Sequence, residues 1–189
     1  MLKNTNIVKT VAFSALLIVL AVTWRVVNHQ YGIAPNFEIV TAVSVLAALI
    51  IGLRAALIVP ITTMITSDLI IGNSSIFVYT WSAFAIIGVS ALVLRKLNNK
   101  PKMQILSSIG FAGASSFLFF IVTNFGVWAQ GWYPATMAGL IDCYTMAIPF
   151  YRTMLIGNLV IVPVAVAAYQ YVKARQTANN LVVDTLVRK

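Results

Sequence analysis

The chain has little charge, and almost none of it is negative: 189 residues hold four Asp or Glu, one histidine and one cysteine, against thirteen Lys and Arg. Charged side chains make up 9% and hydrophobic ones 60%, where soluble domains carry about 25% charge. So few charges cannot clothe a water-facing surface of this size, which excludes an ordinary soluble domain. One cysteine excludes an internal disulfide and any cysteine-built metal cage. One histidine excludes a site needing two, and His29 reads as an outer-loop residue. GxxxxGK[ST], GxSxG, HExxH and GxGxxG are all absent, so no P-loop hydrolyses ATP here and no common catalytic motif or cofactor is signalled. The expectation is a protein that is not an enzyme.

What the chain has instead is long apolar runs. A helix needs about 20 mostly apolar residues to cross a bilayer, and six segments qualify, near residues 7–27, 36–52, 54–72, 76–94, 104–127 and 150–172. The run from 36 to 72 would be about 55 Å long as one helix, so it must break. Gly52-Leu53-Arg54 offers the place, a glycine free of helical geometry beside a charge that seeks water. Residues 10–23 lack a small-residue cleavage site after them and read as a retained first span. The predicted fold is an all-α membrane protein of six transmembrane helices in one domain, residues 1–172, with a tail at 173–189.

Placement of Lys and Arg predicts the orientation. With both termini in the cytoplasm, the inner side receives Lys3, Lys9, Arg54, Arg95, Lys96, Lys100, Lys102, Lys173, Arg175, Arg188 and Lys189, eleven of the thirteen. Arg25 and Arg152 remain outside. The net charge of +9 is thus a topology signal, best met by the lipid bilayer, and nucleic acid is not expected as a partner.

This threading gathers the unusual residues at the outer face. All four tryptophans (Trp24, Trp81, Trp128 and Trp132) fall there, with Tyr31, Tyr79, Tyr133, Tyr144 and Tyr151, while only Tyr169 and Tyr171 lie on the inner side. Two readings stand: an interfacial aromatic belt, or an aromatic-lined external pocket. Arg25, Glu38, Asp68, Asp142 and Arg152 share the region. Ionisable groups at such depth need neutralising, for which Arg25 with Glu38 and Arg152 with Asp68 is one arrangement. Asn36, Asn124 and Asn158 either join helices or contribute the few placed polar groups of a small-molecule pocket. Residues 128–149, aromatic-rich and nearly uncharged, connect the last two spans. The apolar stretch 135–148, between Pro134 and Pro149, is expected to cap the pocket mouth as a loop or short helix, started by the turn Gln130-Gly131-Trp132-Tyr133-Pro134.

The string TNFGVW at 123–128, followed by GWYP at 131–134, Thr136, Gly139-Leu140, Cys143-Tyr144 and Pro149-Phe150, with PNF at 35–37 and SDL at 67–69, resembles a small, little-characterised family of bacterial membrane proteins. That family is similar to the substrate-binding S-components of energy-coupling-factor (ECF) vitamin transporters, over residues 7–172. The resemblance implies a six-helix protein of the bacterial inner (cytoplasmic) membrane that binds a micronutrient from outside. It also implies an ECF energising module, a transmembrane subunit with two ATPases, as partner. It assigns Pro35, Asn36, Phe37, Asp68, Thr123, Asn124, Phe125, Trp128, Tyr133, Pro134, Cys143, Tyr144 and Pro149 to the family pattern. S-components dock through small residues four apart on helix 1; here Thr10 and Ser14, beside Ala12 and Ala15, are the nearest match.

The substrate-binding candidates are therefore Arg25, Asn36, Glu38, Asp68, Tyr79, Trp81, Asn124, Trp128, Tyr133, Cys143, Tyr144 and Arg152. Cys143 reads either as a ligand to a metal carried by a cobalamin-like guest or as a small buried side chain. The functional expectation is a substrate-binding transport subunit. The alternatives are a non-transporting assembly or regulatory subunit and an intramembrane enzyme using Asp68, Asp142 or Cys143.

Overall fold

A computed structural model describes residues 2–72 and 75–187, with side chains from residue 7 to 180; the side chains of Lys3, Arg188 and Lys189 lie outside the described residues. The chain is helical along almost its whole length. The helices are α1 (Leu2–Tyr31), α2 (Val40–Ile50), α3 (Leu53–Ile71), α4 (Phe77–Ser90), α5 (Leu92–Arg95), α6 (Pro101–Ala129) and α7 (Met137–Val187). Only Ala91 separates α4 from α5, and together they make one apolar span, Phe77–Arg95. Among the described residues, five helices are long and apolar enough to cross a membrane, which makes this a multi-pass membrane protein.

The expected break between the second and third spans falls at Gly52, whose φ of 115° is closed to residues with a Cβ. Gly52 also lets the Arg95 side chain lie against its Cα face, bringing a guanidinium to the negative end of α2. The second span is shorter than its apolar run. At 11 residues, α2 is about 17 Å long and does not cross a bilayer as a helix. Residues 35–39 lead into it as irregular backbone, which a membrane tolerates only where protein or a cavity surrounds it. The Asn28 amide supplies the partners: Nδ2 donates to the carbonyls of Ala34 (2.8 Å) and Phe37 (3.1 Å), and Oδ1 accepts from the Ala34 N–H (2.9 Å). Trp24 Nε1 adds a bond to the Phe37 carbonyl at 2.9 Å.

Helix α2 is buried almost all round, with nine of its residues in the core, because Ala42, Ser44, Ala47 and Ala48 let neighbouring helices approach closely. It is the axial post of the bundle. On one side Val43 and Ala47 meet Leu17 and Ala21 of α1 and Ala55 and Val59 of α3. On another, Val45 and Leu49 meet Leu94 of α5, Ala112 of α6, and Val162 and Val166 of α7.

The segment expected as a separate cap is helical, but it forms the first turns of α7 rather than an element of its own. Gly131 (φ 80°) makes the turn, and Thr136 caps the new helix, its Oγ1 accepting from the Gly139 N–H at 3.1 Å. Pro149 and Pro163 then lie inside one helix of 51 residues, about 75 Å long. Prolines are tolerated within membrane helices because neighbours satisfy the carbonyls they free, and α7 runs packed along α6. The stretch 137–150 thus extends the sixth span through the bundle's aromatic end, packed on α6, and the helix also continues to Val187 at the other.

Candidate functional site

The opposite ends of the bundle differ. Arg95, Asn98, Gln104, Tyr169 and Lys173 meet at the basic end, while α1's last turns, the starts of α2 and α7, and the ends of α3 and α6 surround the aromatic end. A cavity of about 620 Å³ opens there, walled by α1, α3, α4, α6 and α7. A second of about 340 Å³ adjoins it, the two sharing Arg25, Asn36, Ile71, Phe119 and Met154.

Charge in the wall is organised by α1 and α3. Arg25 Nη2 donates to Asp68 Oδ1 at 2.7 Å, and Arg25 Nε donates to Ser67 Oγ at 2.7 Å. Ser67 Oγ in turn donates back to the Thr63 carbonyl at 2.8 Å. The other carboxylate oxygen, Asp68 Oδ2, accepts from Trp81 Nε1 of α4 at 2.7 Å. Both oxygens are therefore held, with Asp68 9% and Arg25 19% exposed at the side chain. This pairing replaces the two expected ones. Arg25 does not meet Glu38, and Arg152 does not meet Asp68. Glu38 is drawn instead to the start of α2, where its Oε2 accepts from the Thr41 N–H at 2.9 Å. Carboxylates favour that position because a helix N-terminus carries partial positive charge. Arg152 is exposed on α7 and makes no ion pair among the described residues.

A second polar cluster surrounds Glu38. Thr41 Oγ1 donates to Glu38 Oε1. Asn158 Nδ2, from α7, lies 2.9 Å from the same oxygen and 3.1 Å from Ser116 Oγ of α6. Glu38 is 8% exposed, and Thr41, Ser116 and Asn158 are fully buried.

Of the sequence candidates, Arg25, Asn36, Asp68, Asn124, Tyr133 and Cys143 stand in the wall of the larger cavity, and Glu38 in that of the smaller. Asn36 takes part through a left-handed conformation, φ 61°, which asparagine accepts more readily than most residues. Asn124 Nδ2 donates to the Phe120 carbonyl at 2.7 Å, and Cys143 Sγ donates to the Asn124 carbonyl at 3.3 Å. Trp81 stands one step behind the wall, holding Asp68. The others are turned to structural partners. Tyr79 lies over Gly126, which has no Cβ to obstruct the ring. Trp128 Nε1 donates to the Pro134 carbonyl at 3.0 Å, and Tyr144 Oη to the Ile121 carbonyl at 2.7 Å.

The wall also contains residues not named in advance. On α7, Met146, Ala147, Phe150 and Met154 join Cys143 and Tyr151, spaced by three and four as one face of a helix. On α6, Phe119, Phe120, Thr123, Asn124 and Val127 repeat the pattern. That periodicity was available in the sequence, but it carries meaning only once 137–150 is read as helix rather than connection. His29 ends α1 and lines the smaller cavity. At the mouth, Trp132 Nε1 donates to Ser75 Oγ at 3.2 Å, bridging the connections before α4 and α7.

The arrangement offers aromatic rings, two amides and a neutralised ion pair around one hollow. It suits non-covalent capture of a small molecule with both polar edges and flat apolar surface. Among the described residues, no three His, Cys, Asp or Glu side chains come together as a metal cluster would require. No curated protein and no solved structure matches the chain. The family model described as a family of unknown function (DUF6580) matches residues 5–181, every helix from α1 to the tail of α7, and the chain belongs to that family.

Proposed function

We propose that the protein is a membrane-embedded substrate-binding subunit for the uptake of a small micronutrient, working in the manner of an S-component. The observation that carries this reading is the 620 Å³ cavity at the aromatic end, a volume within the range of small-molecule sites. The basic end faces the cytoplasm by the positive-inside rule, so the cavity opens to the outside of a bacterial inner membrane. The peripheral helix α1 supports a docking role. Little of it is buried within the chain, and its exposed side chains, Val8, Val11, Leu16 and Val19 with the small Ala12 and Ala15 between them, leave an apolar surface for an energising module.

An assembly or regulatory subunit is the second reading. Met137, Ile141 and Ile148, exposed on α7, favour it by offering a protein partner an apolar face. An intramembrane enzyme fits less well, since Asp68 is saturated by Arg25 and Trp81, and Asp142 is exposed.

The test is thermal unfolding of the detergent-purified protein against a panel of vitamins and nucleosides, with native mass spectrometry for any retained small molecule. A true ligand at 100 times its Kd adds about 2.7 kcal/mol of stability. If no compound stabilises the protein and none is retained, the transport reading fails.

A further inference from the structure

Helix α3 and the α4–α5 span press together closely enough to need glycine. A Cβ on Gly88 would collide with the Ala56 carbonyl, and Gly52, one turn earlier on α3, leaves room for the Arg95 side chain. To one side of this contact line the helices turn inward: Ala55 and Val59 pack on α1 and α2, and Ile87 and Leu94 lie in the core. On the other side Leu53, Leu57, Val89 and Val93 are exposed. Helical spacing sets those four on one outward flank, as an apolar groove between the two helices.

The groove ends at the basic rim in three cations. Arg54, Arg95 and Lys96 are exposed, and among the described residues none of them enters an ion pair. The negative end of α2 offsets about half of one charge. Of the four acidic residues, Glu38, Asp68 and Asp142 belong to the aromatic end, and Asp184 sits about 17 Å of helix beyond Lys173. The turn that follows Arg95 is fixed rather than loose. The Asn98 carbonyl accepts from Lys173 Nζ at 2.7 Å and its Oδ1 from Tyr169 Oη at 2.8 Å. The Lys96 and Leu97 N–H groups bond back to the Val93 and Leu94 carbonyls at 3.2 and 3.1 Å. Like charges held together this way repel one another, and a fixed cluster of one sign is preorganised for an anion.

We infer that the groove between α3 and the α4–α5 span seats one anionic phospholipid of the leaflet at the basic end. Its phosphate lies against Arg54, Arg95 and Lys96, and an acyl chain runs along Leu53, Leu57, Val89 and Val93. Guanidinium forks match the oxygens of a phosphate, and basic pockets between membrane helices are where anionic head groups bind. A soluble anion would use the cations and leave the groove bare; a phospholipid answers both halves. The site needs nothing from the aromatic end, so it stands apart from the proposed uptake function.

The test measures the Tm of the full-length, delipidated protein in micelles at constant ionic strength, with phosphatidylglycerol or phosphatidylcholine of the same chains added. Native mass spectrometry counts the lipid retained. Phosphatidylglycerol should raise Tm saturably, stay bound at one per chain, and compete at least about tenfold better than phosphatidylcholine, since each Lys or Arg at the surface adds to the attraction. Arg54→Gln with Arg95→Gln should abolish the preference. Lys102→Gln with Arg175→Gln, which removes the same charge from α6 and α7, should keep it. Where Arg95→Gln does not fold, Arg54→Gln with Lys96→Gln takes its place. Glycerol 3-phosphate, a head group without chains, should leave Tm unchanged. The inference is overturned if the two lipids bind alike or if the charge-matched double variants lose the preference equally. It is also overturned if glycerol 3-phosphate alone reproduces the rise, marking a soluble anion, or if a polyglutamate peptide raises Tm where phosphatidylglycerol does not, marking an acidic protein partner.

Discussion

The two ends of the bundle both hold polar side chains and use them differently. At the basic end the groups consume one another. Gln104 Nε2 donates to the Leu94 carbonyl at 2.8 Å, Gln170 Nε2 donates to Gln104 Oε1, Tyr169 Oη donates to Asn98 Oδ1 at 2.8 Å, and Lys173 Nζ donates to the Asn98 carbonyl at 2.7 Å. The apolar residues above them, Ala91, Leu94, Ala112, Val162 and Val166, close into a core. At the aromatic end the ion pair and amides face a hollow. A polar residue within a membrane bundle therefore does not mark a site by itself. The distinction is whether its partners use up its hydrogen-bonding capacity and whether space remains beside it.

The largest effect should come from separating Arg25 and Asp68. Arg25→Met leaves a mostly buried carboxylate held by Trp81 alone, and loss of one partner from a buried pair costs about 3 kcal/mol. Unfolding in mixed micelles should register it. Adding Asp68→Asn should return most of that stability, since the unpaired charge is then gone. If the aromatic end differs from the basic end as argued, the double variant folds yet captures ligand poorly. A double variant that binds at wild-type strength would make the pair a purely structural clasp.

Next in size is the control at the opposite end. Gln104→Leu strips the Leu94 carbonyl and Gln170 of their partner at a fully buried position, costing about 2 kcal/mol. Ligand affinity should not move. Asn124→Ala should do the converse. The amide's internal bond returns to its own helix at Phe120, so unfolding should shift by less than about 1 kcal/mol, while affinity for a retained ligand falls about tenfold, equivalent to 1.4 kcal/mol. Equal stability losses in the two variants would erase the contrast between the ends.

Much of this contrast was legible from residues alone. Long apolar runs place the helices because hydrocarbon thickness sets their length, and Gly52 announces its break because its neighbour Arg54 cannot stay in lipid. The gathering of Trp, Tyr and ionisable groups at one end follows from threading the chain back and forth. What could not be read was rotation about each helix axis. Depth alone made Glu38 as good a partner for Arg25 as Asp68. The choice depends on Asp68 facing α1 across the α3 contact, and on Glu38 turning to the N-terminus of α2. The same limit hid the outward turn of Tyr144, Trp128 and Arg152. It also hid Phe119 on α6, and it hid Met146 and Ala147, which join the stripe of Tyr151 and Met154 only when α7 begins at Met137. Pro149 concealed that beginning, because in a soluble protein a proline there would end the helix.

The smallest predicted effect concerns the residue with the sharpest alternative readings. Cys143 lines the larger cavity and is 2% exposed, its Sγ turned to the Asn124 carbonyl. A serine there keeps a donor for that carbonyl and loses little volume. Cys143→Ser should therefore change unfolding by less than about 1 kcal/mol and leave affinity for an organic ligand within about twofold, equivalent to 0.4 kcal/mol. A thiolate ligating a metal carried by the guest would behave otherwise, since a hydroxyl is a poor substitute for soft sulfur, and affinity would collapse while stability held. Measured beside Asn124→Ala, which keeps the backbone carbonyl that Cys143 meets, the variant separates two neighbouring roles: a side-chain amide whose loss is felt by the guest, and a thiol whose replacement is felt by neither guest nor fold.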